Sequence, residues 1–295
     1  MEVKIHKICH VGDFLRYFDL HCDTARVCYK KNLYPDDLSL AVSTANGNIF
    51  ERWRQCYAVF IPDGSPDPED VYAGILGGFI KKISGIPRIE PIFTLENGVP
   101  IKNVEFVERL SYNGIKAVTL TWNGENSIAG GVYSDAGLKP FGKQVIYKLN
   151  DKNIACDLSH LNEKSFFEAG DTAKIIFASH TCCDRTHHHP RNLSDRQLKY
   201  IAARGGVIGV CFYPEFLGTK YAYTGVWRHI NHLLNLGLEK SVCIGSDFDG
   251  AQMSEQLDGI EKIPALYKYL LSSGIPESTL DLIFYKNAEK FFENF

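Results

Sequence analysis

No Cys-x-x-Cys pair occurs among the nine cysteines of this 295-residue chain, which removes the usual thiolate frame for a zinc ion. Their odd number and scatter (Cys9, Cys22, Cys28, Cys56, Cys156, Cys182, Cys183, Cys211 and Cys243) argue against a disulfide scaffold, and a core of this size needs none. Several lie inside apolar runs, where a free thiol packs as a small hydrophobe. The first residues, MEVKIHKICHVGDF, lack the apolar heart of a signal peptide. No run approaches the ~20 apolar residues of a membrane span. A reducing, cytoplasmic location is therefore expected. Charge of one sign is also missing: 32 Lys and Arg stand against 35 Asp and Glu, for a net charge of -3. Electrostatics thus single out neither nucleic acid nor an anionic membrane as a partner. Low-complexity tracts, charge blocks and internal repeats are absent too.

What remains is ordinary globular composition, 45% hydrophobic and 23% charged. The length allows two average domains or one large α/β barrel, which typically needs about 250 residues. A repeated rhythm decides between them: a short apolar run, a polar loop, then an amphipathic stretch. Strands are predicted at Tyr17–Asp23, Gln55–Ile61, Ile89–Glu96, Ile115–Trp122, Ile154–His160, Lys174–His180, Gly206–Tyr213 and Val242–Asp247. Most are continuously apolar, as parallel strands covered by helices should be. Helices are predicted from Pro68 towards Lys82 and at Gly142–Leu149, Glu163–Glu168, Ser194–Arg204, Val226–Leu236 and Ile260–Leu271. A last short helix, Asn287–Glu293, is expected to pack Phe291 and Phe292 on the outside. Eight strands alternating with helices, with no shift in composition, predict one α/β domain over residues 1–295. Its fold is a single (β/α)8 TIM barrel with the active site at the C-terminal ends of the strands.

Five of these runs end in metal-binding side chains: His21 and Asp23 on the first, Glu96 on the third, His160 on the fifth, His180 on the sixth, and Asp247 with Asp249 on the eighth. In a barrel those ends share one mouth. Alternation along a strand turns His21 and Asp23 to one side and Cys22 to the other. A lone histidine at a strand end is commonly a buried, hydrogen-bonded imidazole. So many ionisable groups together are costly to bury without a cation. Three imidazoles and two carboxylates, with no thiolate, fit zinc first and Mn, Co or Fe after it. Five ligands are too many for one tetrahedral ion and natural for two ions sharing a carboxylate, for which Glu96 is the candidate.

Taken together, FDLHCDT around His21, the LEN containing Glu96, DLSH ending at His160, ASH ending at His180, His189-Pro-Arg-Asn192 and GSDFDG resemble the renal (membrane) dipeptidase family of amidohydrolase-type peptidases. Gly137-Leu-Lys-Pro-Phe-Gly142 resembles a further family stretch that holds no ligand. The resemblance runs in order along nearly the whole chain. It implies a binuclear zinc dipeptidase in which His21 and Asp23 bind one ion, His160 and His180 the other, and Glu96 bridges them. A metal-bridging hydroxide would attack the peptide carbonyl. Asp247 would act as acid/base, and Arg191 would bind the substrate's terminal carboxylate through its planar guanidinium. Dipeptides, L,D pairs included, would be the substrates. Family members are often homodimers, though the sequence carries no interface signature.

One position departs from the family. Where mammalian members carry a histidine near the scissile carbonyl, Thr119-Leu-Thr-Trp122 places a tryptophan. An indole can donate one hydrogen bond but cannot become cationic. Trp122 is thus a pocket wall or substrate contact, and either the metals, Asn123 or Asn126 supply the oxyanion stabilisation or catalysis is weaker. His187, His188 and His189 are consecutive and read as a polar loop, with mouth-lining as the second reading. His229 and His232 share a helix face outside the barrel and read as structural. Cys182 and Cys183 read as pocket lining, and Asp249 as fixing its loop. The loops 123–139 and 181–193 are expected to close the mouth. Two alternatives compete: a sibling amidohydrolase acting on another amide or a lactone, and a non-catalytic barrel that binds metal or peptide.

Overall fold

The computed structural model describes residues 15–293; Cys9 and the rest of the first fourteen residues lie outside it. Eight strands close into a barrel in sequence order: β1 Arg16–Cys22, β2 Arg52–Phe60, β3 Ile89–Glu96, β4 Ile115–Thr119, β5 Ala155–Asp157, β6 Ile176–Thr181, β7 Ile208–Val210 and β8 Val242–Ile244. Every pair is parallel, and Asp19 opposite Ile244 joins β1 to β8. The (β/α)8 barrel expected from the rhythm of the sequence is the observed fold.

The strands from β4 to β8 are shorter than their apolar runs, whereas β3 matches its run and β2 begins three residues earlier. β4 stops before Trp122, β5 before His160 and β8 before Asp247. At two of these ends the backbone turns aside: His160 (φ 69°) and Asp247 (φ 64°) adopt left-handed conformations that leave the ladder, as Asn97 (φ 70°) does just after β3. Such conformations cost a non-glycine residue of order 1–3 kcal/mol each and gather at functional rims.

The helices are α1 Thr24–Lys31, α2 Pro68–Ile83, α3 Phe106–Tyr112, α4 Pro140–Asp151, α5 Glu163–Thr172, α6 Asp195–Ala203, α7 Pro214–Leu217, α8 Ala222–Asn235, α9 Ile263–Ser272, α10 Glu277–Asp281 and α11 Asn287–Phe292. Local chemistry sets their ends. Pro68 opens α2, with Glu69 and Asp70 in its first turn and Lys81 and Lys82 in its last, matching the helix dipole. Ser194 and Gln197 form a reciprocal capping box on α6, and Gly205 (φ 73°) follows that helix in the left-handed region. α1, α3, α7 and α10, none longer than eight residues, have no counterpart among the predicted helices; segments so short display little helical period.

One expectation is overturned. Phe291 and Phe292 do not lie on the outside; they are buried at 7% and 6% exposure. Phe292 stacks 5.4 Å from Phe18, and Phe291 5.3 Å from Phe177. α11 thus closes the barrel beneath the strands' N-terminal ends, where an open floor would leave those rings in water.

Candidate metal centre

The opposite rim collects the polar residues. His21 stands at the end of β1 and Asp23 caps α1 immediately after it. Glu96 ends β3, His180 lies in β6, and His160 and Asp247 occupy the left-handed turns after β5 and β8. Each is buried or nearly so. Three clusters of convergent donor atoms result: His21, Asp23 and Glu96; Glu96, His160 and His180; and His21, His180 and Asp247. Glu96 belongs to the first two, with Oε1 3.1 Å from His160 Nε2 and Oε2 3.4 Å from His21 Nε2. His160 Nε2 and His180 Nε2 are 2.8 Å apart.

Whether these residues suit a metal can be tested on their hydrogen bonding. His21 Nε2, Asp23 Oδ1 and Glu96 Oε2 are fully buried with no hydrogen-bond partner. Orphaned polar atoms of this kind normally cost about 1–3 kcal/mol each, and here all three belong to one cluster. Gly250 makes room beside them: a Cβ there would sit 2.3 Å from Asp23 Oδ2 and 2.5 Å from Asp247 Oδ1. The donor set of imidazole nitrogen and carboxylate oxygen suits zinc and its neighbours. The residues fit metal ions.

Without a cation, this crowding distributes protons unevenly. Burial pushes Asp247 up to about 8, with Asp23 and Glu96 adding to the effect while His21 and Arg191 oppose it. Burial and Glu96 raise Asp23 to about 6. His21 is raised despite its burial, because Glu96 and Asp23 favour its cation. Burial and Arg191 bring His160 down to about 4, and burial with His21 and Arg191 depresses His180. Glu96 is lowered despite its burial, by His21 and His160.

A cavity of about 340 Å³ opens over the cluster and includes Trp122, Arg191, Tyr213 and Glu215 in its wall. Arg191 is 3% exposed, its Nη2 donates to His180 O at 3.3 Å, and its Nε has no partner. Trp122 lies 5.5 Å from the ring of Phe60 and forms part of the wall. A larger cavity, about 760 Å³, lies by the N-terminal ends of β1 and β2; Arg16 and Asp281 in its wall already pair at 2.6 Å.

Comparison with known proteins agrees with this geometry. Residues 80–295, well over half of the chain, match the family model for membrane dipeptidase, peptidase family M19. The chain belongs to the membrane dipeptidase family. An uncharacterised protein of Klebsiella pneumoniae is 31% identical over 196 residues, covering 61% of this chain and 72% of that one. An uncharacterised dipeptidase of Schizosaccharomyces pombe is 32% identical over 167 residues, 52% of this chain and 40% of that protein. The dipeptidase VerJ of Clonostachys rogersoniana is 30% identical over 202 residues, 65% of this chain and 52% of its own length. The chain therefore spans about half the length of the named dipeptidases. Among solved structures, a Rhodobacter sphaeroides metallopeptidase liganded with a phosphinate mimic of L-Ala-D-Ala superposes with a TM-score of 0.86 at 20% identity, over 95% of this chain and 99% of that one. A dipeptidase of family M19 gives 0.86 at 21% identity, over 95% and 98%. At such identities the likeness concerns the fold.

Within this membrane dipeptidase family barrel, His21 and Asp23 precede the matched residues, and the geometry alone joins them to the cluster. Asn126 has no freedom to face a substrate: its Nδ2 donates to Leu120 O and Asn97 Oδ1, and its Oδ1 accepts from Ile128 and Ala129. Asn123 lines the cavity, but its Oδ1 lies 2.8 Å from His160 Nδ1, so it orients a ligand candidate. Cys182 and Cys183 turn away from the cavity, their thiols facing Cys211 O and His229 O. That replaces the pocket-lining reading: both thiols are spent on backbone carbonyls away from the cavity. His229 is structural, accepting from the Cys183 amide, and Asp249 anchors Thr24, Ala41 and Val42. His188 is a surface residue, whereas His189 lines the mouth. Both expected loops contribute to the wall, joined by the segments after β7 (Tyr213, Glu215, Phe216) and β8 (Gly250, Gln252) that the sequence reading passed over. Two further residues of those motifs, Asp157 of DLSH and Ser179 of ASH, lie beneath the cluster and bond to each other at 2.6 Å.

Proposed function

We propose that this protein is a binuclear-metal dipeptidase, with zinc as the first choice of metal. The observation that carries the reading is Glu96, one carboxylate shared between a His21–Asp23 pair and a His160–His180 pair. When bound, two ions supply an ionised water as nucleophile and Lewis-acid polarisation of the scissile carbonyl.

The chain's own residues do the rest. Arg191 receives the terminal carboxylate of the substrate, which supports a dipeptide over an uncharged amide or lactone. Its unpartnered Nε and its place in the cavity wall support that role. With the carboxylate fixed there, a cavity of about 340 Å³ admits few residues beyond the scissile bond. Asp247, 3.7 Å from His21 Nε2 and lining the cavity, takes the proton from the attacking water and passes it to the leaving amine. Trp122 and Phe60 form an apolar wall that keeps water from the reacting bond. The dipeptide mimic held by the Rhodobacter protein supports an L,D-dipeptide substrate.

The residues of this proposed site all come from one barrel. Eight described cysteines are all free and buried, which supports a reducing, cytoplasmic home; among the described residues no helix is long and apolar enough to cross a membrane. Metal analysis of the purified protein, combined with a panel of L,L- and L,D-dipeptides, N-acyl amino acids and lactones, tests the proposal. Two ions per chain and turnover confined to free dipeptides are expected. Turnover of lactones without dipeptides would transfer the chain to a sibling amidohydrolase activity. Peptide binding with no turnover by metal-replete protein would leave a binding barrel.

A further inference from the structure

Two hydrogen-bond chains beneath the site decide which nitrogen of His160 and of His180 faces it. Asp157, 2% exposed, receives four donors: Thr119 Oγ1 at 2.7 Å and Ser179 Oγ at 2.6 Å on Oδ2, and the Ser159 and Ser179 amides at 3.0 and 2.9 Å on Oδ1. A hydroxyl has one proton to give. With that of Ser179 committed to Asp157, its oxygen can only accept from His180 Nδ1, 2.8 Å away. His180 must therefore carry its hydrogen on Nδ1. The Oδ1 of Asn123 imposes the same state on His160, since an amide oxygen is only an acceptor.

We propose that Asp157 and Ser179 are positioning residues that lock His180 in the Nδ1–H tautomer and aim its Nε2 lone pair into the metal centre, an inference that rests on the metallopeptidase reading above. The lone pairs of His180 Nε2 and His160 Nε2 then face each other across 2.8 Å, with Glu96 Oε1 3.1 Å from the latter. Three acceptors so arranged repel one another and are reconciled by a cation between them.

The backbone is built to keep Ser179 there. β6 bulges at this point, and a Cβ on Gly209 or Gly245 would lie 1.9 or 1.8 Å from Ser179 O. Glycines on β7 and beside β8 thus give the bulge its room. A comparator exists in the same barrel. Ser246 donates to buried Asp19 with the same 2.6 Å bond, but makes no bond to an imidazole.

The test uses the full chain, with zinc affinity measured by chelator competition and histidine tautomers by long-range proton–nitrogen NMR on metal-free protein. Wild type should show His180 as Nδ1–H. Ser179→Ala and the isosteric Asp157→Asn should bind zinc about 10–100-fold more weakly, and Ser179→Ala should populate both tautomers of His180. Ser246→Ala should leave the His180 tautomer as in wild type. Wild-type affinity in both variants, or an Nε2–H His180 in the wild-type protein, overturns the proposal. Wild type that takes up none of Zn, Mn, Co or Fe overturns the metallopeptidase reading instead, while the wild-type tautomer still decides this one without any variant having to fold.

Discussion

Replacing Arg191 by methionine isolates the carboxylate-recognition step. Arg191 is 3% exposed, and its guanidinium makes one long hydrogen bond to His180 O at 3.3 Å and leaves Nε without a partner. A charge held so dry and so incompletely paired contributes little to folding. Methionine fills a similar volume beside the Phe216 ring, now 5.3 Å from the guanidinium carbon. The thermal midpoint of Arg191→Met should therefore match or exceed that of wild type. A substrate carboxylate that loses its partner in a buried site forfeits about 2–5 kcal/mol. Taking ~3 kcal/mol, kcat/KM falls by roughly two decades. The assay compares each dipeptide with its C-terminal amide. Wild type should prefer the acid by about 100-fold, and the variant should treat the two alike. Arg191→Lys, which keeps charge but loses the planar fork, should fall between them. An unchanged acid-to-amide ratio in Arg191→Met would refute the assignment.

Asp247→Asn should lower kcat by about 10²–10⁴-fold, as expected for loss of a general acid/base, with two metals per chain retained by elemental analysis. In metal-free protein, His21 and Asp247 (about 8) hold protons at pH values where the unfolded chain has released them. Both raised groups make stability fall as pH rises, by up to about 1.4 kcal/mol per pH unit per group. Depressed His160 (about 4) and His180 act oppositely, but only below the ordinary histidine value. Chelated protein should thus lose stability between about pH 6.5 and 8, while metal-loaded protein stays nearly level; denaturant midpoints at the two ends check the sign. Phe292→Ala should cost about 3 kcal/mol in chemical denaturation, without changing metal content, because its ring packs at the far end of the barrel from the rim.

The barrel was readable because β-branched and apolar runs recurred between amphipathic stretches, and each ligand candidate stood where such a run met a loop. The limits were equally physical. Left-handed turns at His160 and Asp247 carry no sequence mark when neither residue is glycine, so apolar runs overstated the strands. Phe291 and Phe292 were misplaced because two adjacent aromatics do not reveal which end of a barrel they face. Asn123 sits in the cavity wall as its chain position predicts, but the bond from its Oδ1 to His160 has no mark in the sequence. Asp157 and Ser179 were hidden differently. A buried aspartate satisfied by hydroxyls and amides looks, in sequence, like any polar residue beside a histidine.

The closing seam between β1 and β8 has a consequence for how the centre comes into being. The Asp23 amide bonds to Phe248 O and the Asp247 amide to His21 O, so residues more than two hundred positions apart are zipped together at the rim. Every other strand meets a neighbour made shortly before it, whereas this junction waits until the ring is complete. A nascent chain can therefore own His160, His180 and Glu96 in nearly finished form while His21 and Asp23 still lack Asp247 across the gap. Were the proposed ions held by residues on both flanks of that junction, they would act as a clasp on a bracelet, and chelation should quicken amide exchange first at Asp23 and Asp247.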